Sequence, residues 1–336
     1  MNDMNRTMKA VSQDELGGPE VLKVVALPVP EPGVSEVLIR VHAAGVNPID
    51  GAQRQTGAFV GEPPFVLGWD VSGTVAAVGP GATLYQPGDE VFGLLPFPQG
   101  HGAYAEYVVG PTRVFVRKPE RLDHVLAAAI PMVGLTAWQA LVDTAGVGAG
   151  SRVLIDAGSG GIGHLAVQIA KARGAYVTAL ASAEKADYVR SLGADEVIDY
   201  KASDFTEAVR DQDVVLDIVG GDYPARALDV LKPGGTLVST QPSSLDESVQ
   251  TAAAERGIRV AGVIVEADEV GMKALADLAA GGRLVPTIAA TFPLEEAATA
   301  SAMADVAATD GLFPLEAGGA AETGKHKPGK VVITMM

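Results

Sequence analysis

The chain has 336 residues, of which 48% are hydrophobic and 20% are charged, and its formal net charge is -16 at pH 7. This length predicts about two domains with a large core, and the composition is that of an ordinary globular protein. The acidic balance disfavours a nucleic acid or an anionic membrane as partner. The absence of cysteine excludes disulfides, thiolate-bound zinc and a cysteine nucleophile.

No apolar run approaches the roughly 18 residues that a membrane-spanning helix needs. The first residues, Met1 to Thr7, are polar and lack the apolar core of a signal peptide. We therefore expect a soluble, cytoplasmic protein that makes no membrane contact.

The N-terminal third predicts a compact, barrel-like β domain. Residues 8–11 and 21–25 have the pattern of paired strands, and residues 36–43 alternate apolar and polar side chains as a half-exposed strand does. A polar loop is expected after Asp50, up to Phe59. Short strands follow within residues 66–78, 88–93 and 102–109. Frequent glycine and proline between such short strands is typical of a small barrel.

The second half of the chain alternates strands and helices. Residues 126–141 are Ala-rich and predict a helix interrupted at Pro131 and Gly134. The strands expected after it are 153–156, 176–180, 196–199, 214–217, 235–240 and 259–263. Six strands with intervening helices predict a doubly wound parallel sheet. The last elements expected are a helix at 272–280, a strand at 286–291, a helix at 294–307 and a strand at 330–334.

A glycine-rich loop between the first of these strands and its helix is the strongest functional signal. Its residues are Gly158, Ser159, Gly160, Gly161, Ile162 and Gly163. A G-x-G-x-x-G spacing between a buried strand and a helix is the context of a dinucleotide site. The first glycine permits a tight turn, the second lets the backbone approach a pyrophosphate, and the third lets helix and strand pack closely. The helix N-terminus then offers free N–H groups to the phosphates.

The end of the second parallel strand indicates which nicotinamide dinucleotide binds. An NAD-selective site places an Asp or Glu there for the ribose hydroxyls. This chain has Ala181, Ser182 and Ala183 instead, with Lys185 close behind. A hydroxyl and a cation suit a 2′-phosphate, although Glu184 is an unfavourable neighbour. NADPH is the predicted cofactor, and Lys185 as a solvated helix residue is the alternative.

Several segments together resemble the zinc-free members of the medium-chain dehydrogenase/reductase superfamily, on the quinone oxidoreductase (zeta-crystallin-like) branch. The matching segments are Gly45-Val46-Asn47-Pro48-x-Asp50, residues 102–107, residues 134–138, the glycine loop and residues 231–235. The resemblance covers nearly the whole chain. It implies a Rossmann-type doubly wound parallel sheet (126–266, NADP-binding) inserted into a GroES-like β-barrel catalytic domain built from 1–125 and 267–336. It also implies a homodimer joined by edge strands near residues 260–265.

The resemblance also implies cofactor contacts. Asn47 would lie on the nicotinamide ribose side, Thr136 would face the cofactor, and Lys330 would reach its phosphates. Tyr200 would join Ser182 and Lys185 at the 2′-phosphate. Local sequence alone offers structural roles for these residues: a turn asparagine, a helix-capping threonine, an exposed lysine. Val219, Thr240 and Gln241 follow the fourth and fifth strands, at the carboxyl edge where ligands of such sheets bind.

Metal chemistry is not expected. Zinc members of the superfamily bind zinc through cysteines and a Gly-His-Glu segment, and the matching segment here is Gly68-Trp69-Asp70. The histidines are His42, His101, His124, His164 and His326, and they show no ligand spacing. We expect them to be surface or structural residues.

We therefore expect hydride transfer from NADPH to a quinone or a related α,β-unsaturated carbonyl, bound in an apolar cleft between the domains. An enoyl-thioester or alkenal double-bond reductase is the alternative. Similar enoyl-thioester reductases place a proton-donating Tyr near the position of Phe59, which cannot donate. No acid or base is assigned; the candidates for the substrate cleft are Asn47, Asp50, Phe59 and Tyr104. A non-catalytic NADPH-binding protein is the alternative of another class.

Overall fold

The structure is a computed structural model that describes residues 6–309 and 327–335. The fold divides into two compact units. The first unit comprises Met1–Met132, Glu266–Ala280 and Pro286–Met336, and the second comprises Val133–Val265 and Gly281–Val285. The predicted inserted segment, 126–266, begins a few residues before this division and lacks the short return at 281–285. The predicted start is earlier because the division between the units falls inside one helix, and no sequence signal marks that point.

The elements are named in chain order. The strands are β1 (Thr7–Gln13), β2 (Lys23–Pro28), β3 (Glu36–Val46), β4 (Phe65–Val66), β5 (Asp70–Val78), β6 (Glu90–Leu94), β7 (Tyr107–Pro111), β8 (Phe115–Arg117), β9 (Arg152–Ile155), β10 (Tyr176–Ala181), β11 (Glu196–Asp199), β12 (Gln212–Asp217), β13 (Leu231–Ser239), β14 (Arg259–Gly262), β15 (Ile288–Pro293) and β16 (Lys330–Thr334).

The helices are α1 (Pro48–Thr56), α2 (His124–Ala128), α3 (Pro131–Trp138), α4 (Gly163–Ala172), α5 (Ala186–Ser191), α6 (Phe205–Ala208), α7 (Tyr223–Ala227), α8 (Glu247–Glu255), α9 (Glu269–Ala280) and α10 (Ala297–Thr309). Within the described ranges, no helix has both the length and the apolar character that crossing a membrane requires.

Two sheets build the first unit, as the prediction of a β domain requires. One has the order β2-β1-β4, and the other has the order β15-β16-β3-β5-β6-β8 with β7 also paired to β3. Strand β3 is the long central strand, and it pairs antiparallel with β16 through Val46↔Val331 and Gly45↔Val332. The C-terminal strand therefore completes a sheet that begins in the N-terminal part of the chain.

The prediction of a polar loop after Asp50 is wrong, because α1 continues through that segment to Thr56. Asn47 is the N-cap, Pro48 follows at the first helical position, and the Asp50 side chain bonds back to the Asn47 backbone in a capping box. Gly57 ends the helix in the left-handed conformation, at φ 62°. These local bonds stabilise a helix that lacks an obvious apolar pattern.

The second unit contains the predicted doubly wound parallel sheet. Its order is β11-β10-β9-β12-β13-β14, and every neighbouring pair is parallel. The strands are short runs of buried Val, Leu and Ile such as Val153–Ile155, which is typical of a sheet covered on both faces. Strand order reverses between β9 and β12, so the carboxyl ends of these two strands mark the switch point at which such sheets bind ligands.

The predicted break at Gly134 is wrong. Helix α3 begins at Pro131, runs through Gly134 to Trp138 and continues as a π-helical turn at Gln139–Thr144. A glycine inside a helix costs only about 1 kcal/mol relative to alanine. Burial of neighbouring Leu135 and Ala137 offsets that cost.

Candidate functional site

The glycine loop of the second unit joins β9 to α4 as predicted, but its glycines act differently from expectation. The left-handed residue is Ala157, at φ 46°, and Gly158 has no positive φ. Gly158 is needed because a Cβ there would lie 2.9 Å from the Ala179 Cβ on β10. A Cβ on Gly163 would overlap the Ala157 carbonyl oxygen. Both glycines therefore allow close packing, the first against β10 and the second at the start of α4.

His164, on the first turn of α4, hydrogen-bonds to the glycine loop. Its Nδ1 lies 3.0 Å from the carbonyl oxygen of Gly160 and 2.8 Å from that of Gly161. Because both partners are acceptors, Nδ1 carries the proton and donates. The histidine is thus structural, as expected, and it fixes the two central glycines.

The edge of the sheet has features that a dinucleotide would satisfy. A Cβ on Gly160 would lie 3.2 Å from the Ala157 carbonyl oxygen, which is a tight contact with the backbone of the same loop. Thr240, after β13, has a buried hydroxyl without a hydrogen-bond partner. Gln241 is also buried, and its backbone N–H donates to Ser239 Oγ at 3.0 Å. An unpaired buried hydroxyl and the N-terminus of α4 fit a nicotinamide dinucleotide.

A pair of buried carboxyl groups, which the sequence did not indicate, lies at the switch point. Asp156 follows β9 and Asp217 ends β12, and their side chains share a hydrogen bond. Burial, and then the charge of Asp217, raise the pKa of Asp156 well above its usual range. A hydrogen bond between two carboxyl groups needs one proton, and we assign that proton to Asp156, which donates to Asp217.

The same pair fixes the loop that carries Val219. Asp156 Oδ1 accepts the Ile218 N–H at 2.7 Å, and Asp217 Oδ1 accepts the Gly220 N–H at 2.8 Å. Asp217 Oδ2 also accepts the Ser239 hydroxyl at 2.5 Å. These hydrogen bonds connect the carboxyl ends of β9, β12 and β13, where the ligand is predicted to bind.

The structure brings together the residues predicted for the 2′-phosphate. Ser182 and Tyr200 directly follow Ala181 and Asp199, which are paired in the register of β10 and β11. Ser182 is buried, and its carbonyl oxygen accepts the Lys185 N–H at 2.9 Å. Tyr200 is 45% exposed. Their assignment to the phosphate stays a prediction.

Lys201 is a further cation at this edge, and sequence reasoning missed it. Its ammonium lies 5.9 Å from the ring centroid of Tyr200. A Lys directly after a predicted phosphate-binding Tyr was the available signal. Two lysines, Lys185 and Lys201, thus follow the ends of the neighbouring strands β10 and β11.

A buried polar network occupies the first unit and joins residues predicted for quite different roles. The Lys330 ammonium, at the start of β16, donates to the Val46 carbonyl oxygen at 2.8 Å and to Asn47 Oδ1. Asn47 Nδ2 donates to Asp70 Oδ2 at 2.9 Å, and that oxygen lies 3.7 Å from the ammonium. The alternative of an exposed Lys330 is wrong. Its reach to a cofactor phosphate stays a prediction.

The network continues to Asp50 and Tyr104. Asp50 Oδ2 accepts the Asn47 backbone N–H at 2.7 Å and the Tyr104 hydroxyl at 2.6 Å. Burial raises the pKa of Asp50 to about 7, against the lowering effect of the Tyr104 hydrogen bond. Asp50 Oδ1 is buried without a partner. Asn47, Asp50 and Tyr104 are therefore neighbours, and Tyr104 has a polar role beside its packing.

The other predicted residues lie elsewhere. Thr136 is buried in the interior of α3, so a capping role for it is wrong. Phe59 is 49% exposed and packs edge-to-face against Phe97 at 6.0 Å between ring centroids. None of the hydrogen bonds of the buried network involves Phe59.

Within the described residues, no three His, Asp or Glu side chains are grouped so that they could hold a metal ion. His42 and His124 stack at 4.3 Å between ring centroids and bond to Thr74 and Ser72. These are structural roles, as expected. His326 lies outside the described residues.

Comparison with known proteins gives the family. The profile of the alcohol dehydrogenase GroES-like domain matches residues 33–120, and that of the zinc-binding dehydrogenases matches residues 192–311. Human quinone oxidoreductase is 33% identical over 312 residues, which are 88% of this chain and 93% of that protein. The 2-haloacrylate reductase of a Burkholderia species is 35% identical over 308 residues, with 84% and 91% covered.

Other matches are consistent with these two. Zebrafish (Danio rerio) mitochondrial NAD(P)H oxidoreductase RTN4IP1 is 37% identical over 224 residues, 59% of this chain and only 57% of that protein's length. The solved quinone oxidoreductase of Coxiella burnetii is 35% identical and superposes with a TM-score of 0.86, covering 98% of this chain and 100% of the other.

The chain is therefore an oxidoreductase that combines a GroES-like domain with a Rossmann-type sheet. It belongs to the medium-chain dehydrogenase/reductase superfamily, on its quinone oxidoreductase branch, a family that binds a nicotinamide cofactor.

Proposed function

We propose that this oxidoreductase uses NADPH, without zinc, to reduce a quinone or a related α,β-unsaturated carbonyl. The observation that carries the proposal is the buried Lys330 ammonium, bonded to Asn47 and adjacent to Asp70. Asp70 belongs to the segment that matches Gly-His-Glu of zinc members. Here a cation of the chain itself balances the Asp70 carboxylate, and Trp69 stands in place of the histidine.

This arrangement has a consequence for the chemistry. Without a metal to polarise an alcohol or a carbonyl, the protein contributes binding and orientation, and the bound NADPH supplies the hydride. A quinone, or an alkene conjugated to a carbonyl, accepts hydride readily. A simple alcohol does not give up hydride without activation. We therefore expect reductase activity that is unchanged after exhaustive dialysis against EDTA.

The preference for NADPH rests on Ser182 and Lys185 at the carboxyl end of β10, with Lys201 beside Tyr200. A 2′-phosphate carries up to two negative charges, which two lysines attract and a carboxylate would repel. We expect Lys185→Ala to lower kcat/KM with NADPH by about tenfold, which is about 1.4 kcal/mol, and with NADH by less than twofold.

Lys273→Ala is the matched control, because Lys273 is an exposed lysine of α9 in the first unit, paired with Glu269 at 2.6 Å. Its kinetics should equal those of the wild type with both cofactors. Equal losses with NADPH and NADH in the Lys185 variant would count against a role at the phosphate.

The acceptor is tested directly by steady-state NADPH oxidation with 1,4-benzoquinone, 9,10-phenanthrenequinone and an enoyl-CoA. Turnover with the quinones supports the proposal. The relative named 2-haloacrylate reductase favours the alternative, reduction of an activated double bond, which predicts turnover with the enoyl-CoA or a 2-haloacrylate instead. NADPH binding without turnover on any of these compounds would favour a non-catalytic binding protein and overturn the proposal.

A further inference from the structure

An aromatic cluster in the first unit has not been assigned a role. We define it as Phe59, Phe65, Trp69, Phe97 and His101. Trp69 packs edge-to-face against Phe97 at 5.3 Å and against His101 at 6.2 Å between ring centroids. Phe59 extends the cluster from Phe97 at 6.0 Å, and Phe65 extends it from His101 at 6.3 Å.

The centre of the cluster holds an unsatisfied donor. Trp69 is fully buried, and its indole Nε1–H has no hydrogen-bond partner. An indole nitrogen only donates, so it can be satisfied only by an acceptor. Leaving such a donor buried and unpaired costs about 1–3 kcal/mol. A carbonyl oxygen brought by a ligand would recover this cost.

His101 supplies a second open polar atom in the same cluster. Its Nδ1 lies 2.7 Å from the Val66 carbonyl oxygen and donates to it. Nε2 has no partner within the described part of the chain.

The cluster is accessible at its outer end. Phe59 is half exposed, and Phe97 and His101 are partly buried. Phe97 lies in a turn between β6 and β7 that contains neither helix nor strand. Phe97 contacts both rings and so links the half-exposed Phe59 to the buried Trp69.

We propose that this cluster binds the aromatic rings of a quinone acceptor and that Trp69 Nε1–H donates to one of its carbonyl oxygens. The inference rests on the proposed function and names its substrate class: fused-ring aromatic quinones are preferred over aliphatic enones. Aromatic rings gain from edge-to-face and offset contacts with Phe59 and Phe97 beyond the area they bury. An aliphatic chain gains the buried area alone.

The indole N–H also assists the reduction. The quinone takes up a hydride, that is two electrons and one proton, from NADPH, which leaves as NADP⁺. Negative charge develops on a quinone oxygen, and a proton from water completes the hydroquinone. A fixed donor at that oxygen stabilises the developing charge.

Binding is tested without turnover by NMR of the indole N–H group. The chain has two tryptophans, so Trp138→Phe leaves the ¹⁵N-labelled Trp69 indole as the only signal of its kind. We expect 9,10-phenanthrenequinone, added without NADPH, to shift this signal saturably, and the aliphatic methyl vinyl ketone to shift it far less. No shift with the quinone would overturn the inference, as would equal shifts with both compounds.

Kinetics test the same site through variants. Trp69→Phe keeps the ring and removes the donor, and we expect kcat/KM for the quinone to fall at least tenfold with the Kd of NADPH unchanged. Phe59→Leu should lower kcat/KM for the fused-ring quinone about tenfold more than for methyl vinyl ketone. Tyr176→Leu is the matched control, because Tyr176 is a partly exposed aromatic residue of β10. It should change kcat/KM neither for the quinone nor for methyl vinyl ketone.

The two proposals fail separately. A saturable quinone shift without turnover on any acceptor would overturn the proposed function and leave this binding site standing. Quinone turnover without a shift, and with wild-type kinetics in Trp69→Phe, would overturn this inference alone.

Discussion

The buried network of the first unit contains two carboxyl groups and one ammonium. Asp70 and Lys330 have opposite charges 3.7 Å apart, with Asn47 bridging them. Asp70 also accepts the Met132 N–H at 2.7 Å, which favours its ionised form. Burial raises the pKa of Asp70 and lowers that of Lys330, while each charge opposes the shift of the other. Asp50 is then the carboxyl without a cation of its own, and it titrates near neutrality.

This assignment makes folding stability depend on pH through Asp50. Its pKa is about 7 in the folded protein and 3.8 in the reference state. Between these values the folded state keeps a proton that the unfolded chain has released. The contribution of Asp50 to the free energy of unfolding is therefore full below about pH 4, falls as the pH rises to about 7, and is constant above that.

Asp50→Asn removes this titration while the amide oxygen can still accept from Asn47 and Tyr104. We expect the stability of the wild type relative to the variant, measured by urea unfolding, to decrease steadily from pH 4 to pH 7 and then to level off. Asp14→Asn, at an exposed aspartate, controls for the change of net charge. Parallel curves for the wild type and Asp50→Asn across this window would contradict the assignment.

At the scale of elements, the ends of β9 and β12 are joined by the Asp156–Asp217 pair. The pair fixes the residues before the glycine loop and the loop at 218–221, so it positions both sides of the predicted pyrophosphate site. Asp156 touches Asp217 and the backbone of Ile218 and Val219. Burial, and then the proximity of Asp156, raise the pKa of Tyr223 on α7, the neighbouring titratable group.

The pair requires a donor at position 156, not a negative charge. Asp156→Asn supplies the donor through its amide and keeps an oxygen for the Ile218 N–H. We expect it to bind NADPH within about twofold of the wild type. Asp156→Ala leaves the Ile218 N–H and Asp217 unpaired, and should weaken NADPH binding about tenfold and destabilise folding by about 1–3 kcal/mol.

Fluorescence titration with NADPH and urea unfolding would measure these two effects. In addition, ¹³C-carboxyl NMR of aspartate-labelled Asp50→Asn, which lacks the other aspartate that titrates near neutrality, should show one protonated carboxyl at neutral pH that is missing when Asp156→Asn is added. Equal damage in Asp156→Asn and Asp156→Ala, or no protonated carboxyl in Asp50→Asn, would show that Asp156 acts as a carboxylate.

The sequence predicted elements whose signals are local, and missed those formed across the fold. The parallel strands are continuous apolar runs, and the glycine loop lies between one such run and a helix, so both were readable. Helix α1 was missed although Asn47-Pro48-x-Asp50 has the spacing of a capping box, because its polar composition suggests a loop. The bond from Lys330 to Asn47 joins residues 283 positions apart, and no local pattern encodes it.

The pairing of Asp156 with Asp217 was hidden for a similar reason. Each aspartate ends a buried strand, where an acidic residue is common and is expected to face solvent. Only the adjacency of β9 and β12, a consequence of the doubly wound order, brings the two carboxyl groups together. Strand order is a property of the whole sheet, and the sequence of neither strand predicts it.

At the scale of the whole molecule, β14 is the edge of the six-stranded sheet, and among the described residues it pairs only with β13. Two residues beyond it, Ile264 is 64% exposed. An unpaired edge strand with an exposed large aliphatic side chain next to it is suited to pairing with the same strand of a second copy around a two-fold axis. The family resemblance implies a dimer at the same strand. We propose that the protein is a homodimer joined through β14.

Sedimentation velocity at micromolar concentration tests this arrangement. The wild type should sediment as a dimer, and Ile264→Lys should weaken the dimer by at least tenfold, because the C2 axis would bring two new like charges into one interface. Val34→Lys is the matched control: Val34 is 76% exposed and lies in the first unit. It adds the same charge elsewhere and should leave the dimer intact. A monomeric wild type, or an Ile264→Lys variant as dimeric as Val34→Lys, would show that β14 does not form the interface.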